Sequence, residues 1–206
     1  MWNKIVFFSV PFFIFLFLNI SAQTFSGGVV SGIVASQISG DGLGGFNKFS
    51  GQLGGFITKK ISDTLQVDFQ MYYLQKGSRK AANGITGSLF SYKLRLNYIE
   101  MPVLFRYNYK NKFNFEGGAS AAVLFKSKVS NAFGELPLND PENRPFRPLE
   151  FAWIIGASYP VNKNILIYIR NSNSLIPVRK HQSNSVFRLN WGQYNSVMLF
   201  GLQFKV

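Results

Sequence analysis

The chain has no cysteine, one histidine, and nine acidic residues against 22 basic ones in 206 positions. Without cysteine no disulfide can staple the fold, and its stability must come from elsewhere. With a single histidine there is no His/Cys cluster to hold a transition metal. After the first 22 residues no apolar run reaches 18 residues, so the sequence offers no later helix able to cross a bilayer. Acidic residues are scarce too, and the net charge is +13. A compact basic patch of that size would point to nucleic acid. Here Lys and Arg are scattered through short alternating segments, with no helix to gather them.

What is present begins with a leader. Lys4 is the only charge before Gln23, Ile5 to Leu18 is an almost unbroken apolar run, and Asn19-Ile20-Ser21-Ala22 follows. A positive start, an apolar core of about 14 residues and a small residue at the end make a secretory signal peptide over 1–22, cleaved after Ala22. The core is shorter than the roughly 20 residues a spanning helix needs. Residues 23–206 then form one exported domain, and export argues further against nucleic acid. That domain is rich in aromatics: 17% of the chain, with 22 Phe.

The domain reads as eight strands: near Gly28–Gln37, Phe49–Lys60, Leu65–Lys76, Leu89–Tyr109, Phe113–Val129, Leu149–Pro160, Asn164–Leu175 and Gln193–Val206. The breaks alternate. Ser62-Asp63-Thr64, Lys110-Asn111-Lys112 and Val161-Asn162-Lys163 are short and carry turn chemistry. The stretches 39–48, 77–87, 130–148 and 176–192 are long. Short turns at one rim and long loops at the other are the pattern of an all-β, eight-stranded, antiparallel, up-and-down transmembrane β-barrel. The setting is the outer membrane of a Gram-negative bacterium. An even strand number puts both termini on one side, the periplasm, with the long loops outside.

Side-chain alternation supports the barrel. Val67, Phe69, Met71 and Tyr73 share a face against Gln66, Asp68, Gln70 and Tyr72. Phe113, Phe115, Ala119, Ala121, Val123 and Phe125 oppose Asn114, Glu116, Ser120 and Lys126; Ile165, Ile167 and Ile169 oppose Tyr168, Arg170 and Ser172. In a membrane barrel the apolar faces meet lipid and the polar faces line the interior. The expected inward charges are Asp68, Lys93, Arg95, Glu100, Arg106, Glu116, Lys126, Glu150 and Arg170. Charges in a low-dielectric interior must pair, and an eight-stranded barrel is just wide enough for side chains to fill it. The expectation is a plugged lumen with ion pairs among these residues, rather than an open channel.

The fourth strand breaks the pattern. Leu94, Leu96 and Tyr98 share one parity, with Lys93, Arg95 and Asn97 opposite, yet Glu100 and Arg106 share the parity of the leucines. If the leucines face lipid and Glu100 faces inward, a one-residue bulge near Tyr98–Ile99 is required, with Pro102 beside it because proline cannot donate to the ladder.

Other motifs carry little chemistry. Gly40-Asp41-Gly42-Leu43-Gly44-Gly45 spells G-x-G-x-x-G, but a dinucleotide site needs a strand before it and a helix after it, and an alternating strand follows. His181 lies in a long loop near Ser183 and Ser185, with no carboxylate after Glu150 to orient it as a base, so a solvated histidine is the better reading. Asp140 and Glu142, near Glu135, could hold Ca²⁺, but three acids among Pro137, Pro141 and Pro145 read more simply as a solvated loop. Phe49, Trp153, Tyr159, Trp191 and Tyr194 fall at strand ends, where interfacial anchors belong. No cofactor, metal or catalytic group is expected.

The stretch Tyr92-Lys93-Leu94-Arg95-Leu96-Asn97-Tyr98-Ile99-Glu100-Met101-Pro102 resembles the signature strand of PorT-like outer-membrane β-barrel proteins, L-x-Y-[IL]-E-[IL]-P. Ser36–Gly42 with Gly45–Lys48 resembles that family's first loop. Gln75-Lys76-Gly77-Ser78, Ser174–Arg179 and Gly192–Asn195 are similar to further family segments. The chain ends Phe204-Lys205-Val206, whereas many barrels end in Phe. The resemblance implies an eight-stranded outer-membrane barrel and a non-enzymatic accessory role in protein secretion, of the type IX kind, or in envelope assembly. A small passive channel is the alternative, and a lipid-modifying barrel enzyme the second. The expected partners are lipopolysaccharide at the rims and secretion-system or other envelope proteins.

Overall fold

The computed structural model describes residues 25–81, 91–110, 112–137, 145–180 and 192–206. The expected leader, His181, Ser183, Ser185, Asp140, Glu142 and Trp191 lie outside the described residues. The strands are β1 (Phe25–Ser39), β2 (Lys48–Lys60), β3 (Leu65–Lys80), β4 (Tyr92–Tyr109), β5 (Phe113–Asn131), β6 (Gly134–Glu135), β7 (Leu149–Pro160), β8 (Ile165–Ser174) and β9 (Tyr194–Lys205). β6 is a two-residue strand folded back on the tip of β5, inside what reads from the sequence as one long loop. The other eight form a ring in which every neighbour is antiparallel. The first and last strands pair with each other, with Gly32 opposite Gly201, and this closes the barrel.

Local chemistry sets the turns. The Ser62 hydroxyl accepts the N–H groups of Thr64 and Leu65, and the Asn162 side chain accepts those of Asn164 and Ile165. Gly40-Asp41-Gly42-Leu43-Gly44-Gly45 is a loop joining β1 to β2, with Gly40, Gly42 and Gly45 at positive φ, and the strand β2 follows it.

Polarity is inside out. Ile33, Leu53, Phe105 and Phe204 are each more than half exposed, whereas Asp68, Lys76 and Arg170 are fully buried. An apolar exterior around a charged interior is stable only if hydrocarbon surrounds it. Trp153 is half-buried on that exterior, and Phe49 and Tyr159 are exposed on it; Tyr194 is buried instead, packed near the loop-side mouth.

The fourth strand differs from expectation. Leu94, Leu96 and Tyr98 all face inward with no exposure, in unbroken parity with Glu100, Leu104 and Arg106. Lys93 and Arg95 therefore point outward. The register with β3 is constant along the whole strand, although the ladder skips Met101 and Pro102, where proline has no N–H to give. A register shift does occur at Asn97/Tyr98, but in the pairing with β5. Asn97 is opposite Lys126 and Tyr98 is opposite Leu124, so the extra residue is Phe125 and not Tyr98 or Ile99. It flips the tip of β5: Leu124 and Val129 pack inward, while Lys126 and Lys128 are turned out. The physical reason is the edge of the membrane. Beyond it the outside is water, so charges turn out and leucines turn in.

In lipid vesicles, Phe69→Lys on the exposed apolar band of β3 should lower unfolding free energy by about 2–4 kcal/mol in a urea titration. The same change at Phe133, which is almost fully exposed in the β5–β6 turn, should have little effect.

Candidate functional site

The barrel interior holds two charge clusters. In the first, toward the short-turn end, β4 and β8 each contribute an arginine. Arg106 Nε donates to Glu116 Oε1 at 2.9 Å, and its Nη2 donates to Gln203 Oε1 at 2.8 Å and pairs with Asp68. Arg170 Nε donates to the other oxygen of Glu116 at 2.6 Å, and its Nη1 donates to Gln70 Oε1 at 3.0 Å. The Thr58 hydroxyl donates to Asp68 Oδ1 at 2.6 Å. Asp68, Glu116, Arg106 and Arg170 thus form one chain of two acids and two bases, reaching the lumen from four different strands. Single-strand parity places all four inside, and closure of the ring brings them together.

The second cluster lies nearer the long loops and is built on Lys76. Its ammonium pairs with Glu100 of the neighbouring β4 at 2.8 Å and, across the lumen, with Glu150 of β7 at 3.0 Å. Two carboxylates on one ammonium leave oxygens to satisfy, and neutral donors do so. The Ser120 hydroxyl donates to Glu100 at 2.6 Å, the Ser174 hydroxyl to Glu150 at 2.8 Å, and Asn195 Nδ2 to Glu150 at 2.6 Å. The Lys76 ammonium also lies 5.1 Å from the centre of the Tyr98 ring. Glu100 and Glu150 therefore meet a lysine that the sequence reading placed at a strand end. Its signal was there: Lys76 continues the parity of Asp68, Gln70, Tyr72 and Leu74.

Arg95, expected in this network, is outside it, on the outer face of β4 with Lys93; Lys126 is likewise outside. Tyr168 shares the inward parity of Arg170. Its hydroxyl donates to Gln52 Oε1 at 3.0 Å across the lumen, and the Arg170 guanidinium stacks 3.9 Å above its ring. The ring lies over Gly201, where an added Cβ would sit 2.3 Å from the hydroxyl. Glycine is required there so that the tyrosine can cross the barrel.

Beside and beyond the Lys76 cluster lie the buried apolar side chains of Val34, Ile38, Leu74, Leu96 and Val197, with Leu94 opposite Val129 at the tips of β4 and β5. Arg179 then caps the mouth. It is buried, donates to Gln193 Oε1 at 3.0 Å, and stacks 4.4 Å from the Phe146 ring. Gln193 reaches Gly40 in the first loop. Asp41 sits beside this cap. Burial raises its carboxyl above the ordinary value, while the Leu43 N–H, Ser78 and Arg179 draw it the other way. Four segments singled out in the sequence, at 36–42, 75–78, 174–179 and 192–195, meet here. At the short-turn end a cavity of about 390 Å³ opens, lined in part by Lys60, Lys163 and Lys205, and ends on Arg106 and Gln203.

Residues 16–179 match the family described as Outer membrane protein beta-barrel domain. No curated protein matches the chain. Among solved structures, the attachment invasion locus protein Ail of Yersinia pestis superposes with a TM-score of 0.51 at 12% identity, covering 88% of this chain and 98% of that one. Neisserial surface protein A gives 0.52 at 12% identity, covering 89% and 100%. At such identity these likenesses concern the fold.

Removing the cation of the second cluster by Lys76→Met leaves two buried carboxylates without a counter-charge. Stability in detergent or lipid should fall by about 3–5 kcal/mol. Lys76→Met/Glu100→Gln/Glu150→Gln should recover much of it, read by the urea midpoint of the heat-modifiable band shift.

Proposed function

The chain belongs to the outer membrane protein β-barrel domain family, and on that premise we propose that it is a sealed, non-enzymatic barrel of the outer membrane that serves protein secretion or envelope assembly through its long-loop end. The observation that carries this reading is the filled lumen. Ion pairs, a cross-lumen tyrosine, buried apolar side chains among them and the Arg179 cap occupy the interior. A barrel closed in this way acts by what its ends present. The buried carboxylates Asp68, Glu100, Glu116 and Glu150 are each held by cations and neutral donors, so they serve as structure.

Both chain ends of the barrel lie at the short-turn rim, where Phe25 pairs with Lys59 and the Val206 N–H reaches Gly27 O. We place that rim in the periplasm and the long loops outside, since large loops belong to the exterior of such barrels. The finer assignment, an accessory of a type IX-like secretion system, rests on the resemblance of Tyr92–Pro102 to the PorT-like strand. The convergence of four similar segments at the mouth supports it. A passive channel is the second reading, and the turn-end cavity is the feature it would start from.

The decisive experiment is purification of the tagged chain from membranes in mild detergent, together with deletion of its gene. Recovery of secretion or assembly components, with a secretion or envelope defect on deletion, is the expected result. A purified chain without partners and a silent deletion would overturn it. In planar bilayers the protein should show no conductance steps, and steps abolished by enlarging Ser120 would favour the channel instead.

A further inference from the structure

The outer face of the strands just beyond the apolar band is unusually basic. Tyr73 and Phe125 mark the edge of that band, with ring centres 6.1 Å apart. Immediately above, Asn97 accepts from the Tyr73 hydroxyl at 2.8 Å and from Gln75 at 2.9 Å, and donates to the Lys126 carbonyl. Higher still, cations stand directly opposite one another across the ladder. Arg79 is paired with Lys93, and Arg95 with Lys128. Lys126 occupies the same face of β5, while Lys48, buried at the start of β2, donates to Gln75 Oε1 at 2.7 Å behind it.

Like charges directly opposite on one sheet face repel. Burial first, and then the like charges of Lys93, Arg95 and Arg79, hold the Lys48 ammonium below its ordinary value. Among the described ion pairs only Glu135 answers this shelf, through Lys128 at 2.5 Å. The connection 81–91 between β3 and β4 contains no Asp or Glu. Arg95 Nε is buried with no hydrogen-bond partner. So the barrel concentrates cations on one side, at one height, and leaves a guanidinium nitrogen unfilled.

We propose that this shelf, formed by Arg79, Lys93 and Arg95 with Lys126 and Lys128 at its edges, binds the phosphate groups of a membrane lipid in the leaflet on the long-loop side. The argument for a lipid rather than a free anion is position. The shelf continues the lipid-facing surface upward from Tyr73 and Phe125, at the level where tyrosines mark the headgroups. A lipid whose chains lie against Phe69, Met71, Val103, Val123 and Phe125 presents its phosphate there. Arginine forks and lysine ammonium groups suit phosphate oxygens. A lipid with two phosphate monoesters on a compact sugar headgroup can meet both cationic pairs at once. The inference rests on the reading of an outer-membrane barrel whose loops face outside, which selects the phosphorylated glycolipid leaflet.

The test is native mass spectrometry of the refolded barrel with three lipids: diphosphorylated lipid A, lipid A after phosphatase treatment, and phosphatidylcholine. The wild-type chain should retain diphosphorylated lipid A preferentially. Arg79→Gln/Lys93→Gln/Arg95→Gln should reduce that retention about ten-fold or more, since each basic residue at a charged lipid surface is worth about five-fold. Lys110→Gln/Lys112→Gln/Lys163→Gln, which removes the same charge from the turn end, should leave it intact. Retention unchanged in the shelf variant, equal retention of the dephosphorylated lipid, or equal loss in the turn-end variant would overturn the proposal. Displacement of the lipid by millimolar inorganic phosphate would assign a free-anion site and overturn it as well. The band shift on heating confirms that each variant is folded. Protease access to the loops on intact cells reports orientation separately, so an inverted barrel and a failed lipid site give different results.

Discussion

A sheet edge in hydrocarbon leaves a row of N–H and C=O groups without partners, at several kcal/mol each. Pairing of β1 with β9 removes that edge, and most other features follow from it. A ring of eight strands encloses a space just wide enough for side chains. The inward half of every strand is then confined with the others, and any charge on it must find a partner within that small volume. The strands supply four acids and three bases there, arranged so that no carboxylate lacks a cation. The outward half is free to be apolar, because lipid covers it.

The interior is not uniform along the axis. The cluster around Arg170 balances two acids with two bases. The cluster around Lys76 has one base for two acids and makes up the difference with Ser120, Ser174 and Asn195 as donors. Buried ion pairs of this kind add little net stability compared with an apolar core, but breaking one is costly. They act as constraints on register: Arg170 can reach Glu116 and Gln70 together only if β3, β5 and β8 stand at one relative height. Leu94 and Val129, opposite each other at the tips of β4 and β5, add apolar cover on the side of the loops.

Much of this was legible in the residues. Alternation over 65–73, 113–125 and 165–172 placed the strands and their lipid faces, and parity put Asp68, Glu116, Arg106 and Arg170 inside. Which of them touch depends on ring closure, a long-range property that no single strand encodes. The reading failed where polarity changed meaning along one strand. Lys93 and Arg95 look inward if the outside is taken as lipid throughout. They face outward because β4 continues past the membrane into water, where the leucines are the residues that need cover. Lys76 is hidden for the same reason: the alternation ends at this residue, whereas β3 runs on to Lys80 and keeps the side chain inside the barrel. The bulge expected at Tyr98–Ile99 has no role in β4, because the leucines and Glu100 share the inward face; the irregularity lies in β5 instead. Only the pairing of Asn97 and Tyr98 with β5 shows that Phe125 is the extra residue.

The extra residue at Phe125 also works as a phase slip between two codes. Below it β5 is written for lipid outside, and above it for water outside, and the slip lets each half keep its own alternation. β3 and β4 have no such slip, so their tips must spell the inverted pattern within one frame. The slip is confined to a single pairing: β4 keeps a constant register with β3 while its register with β5 moves by one residue, and the short β6 fold-back lies beyond that step.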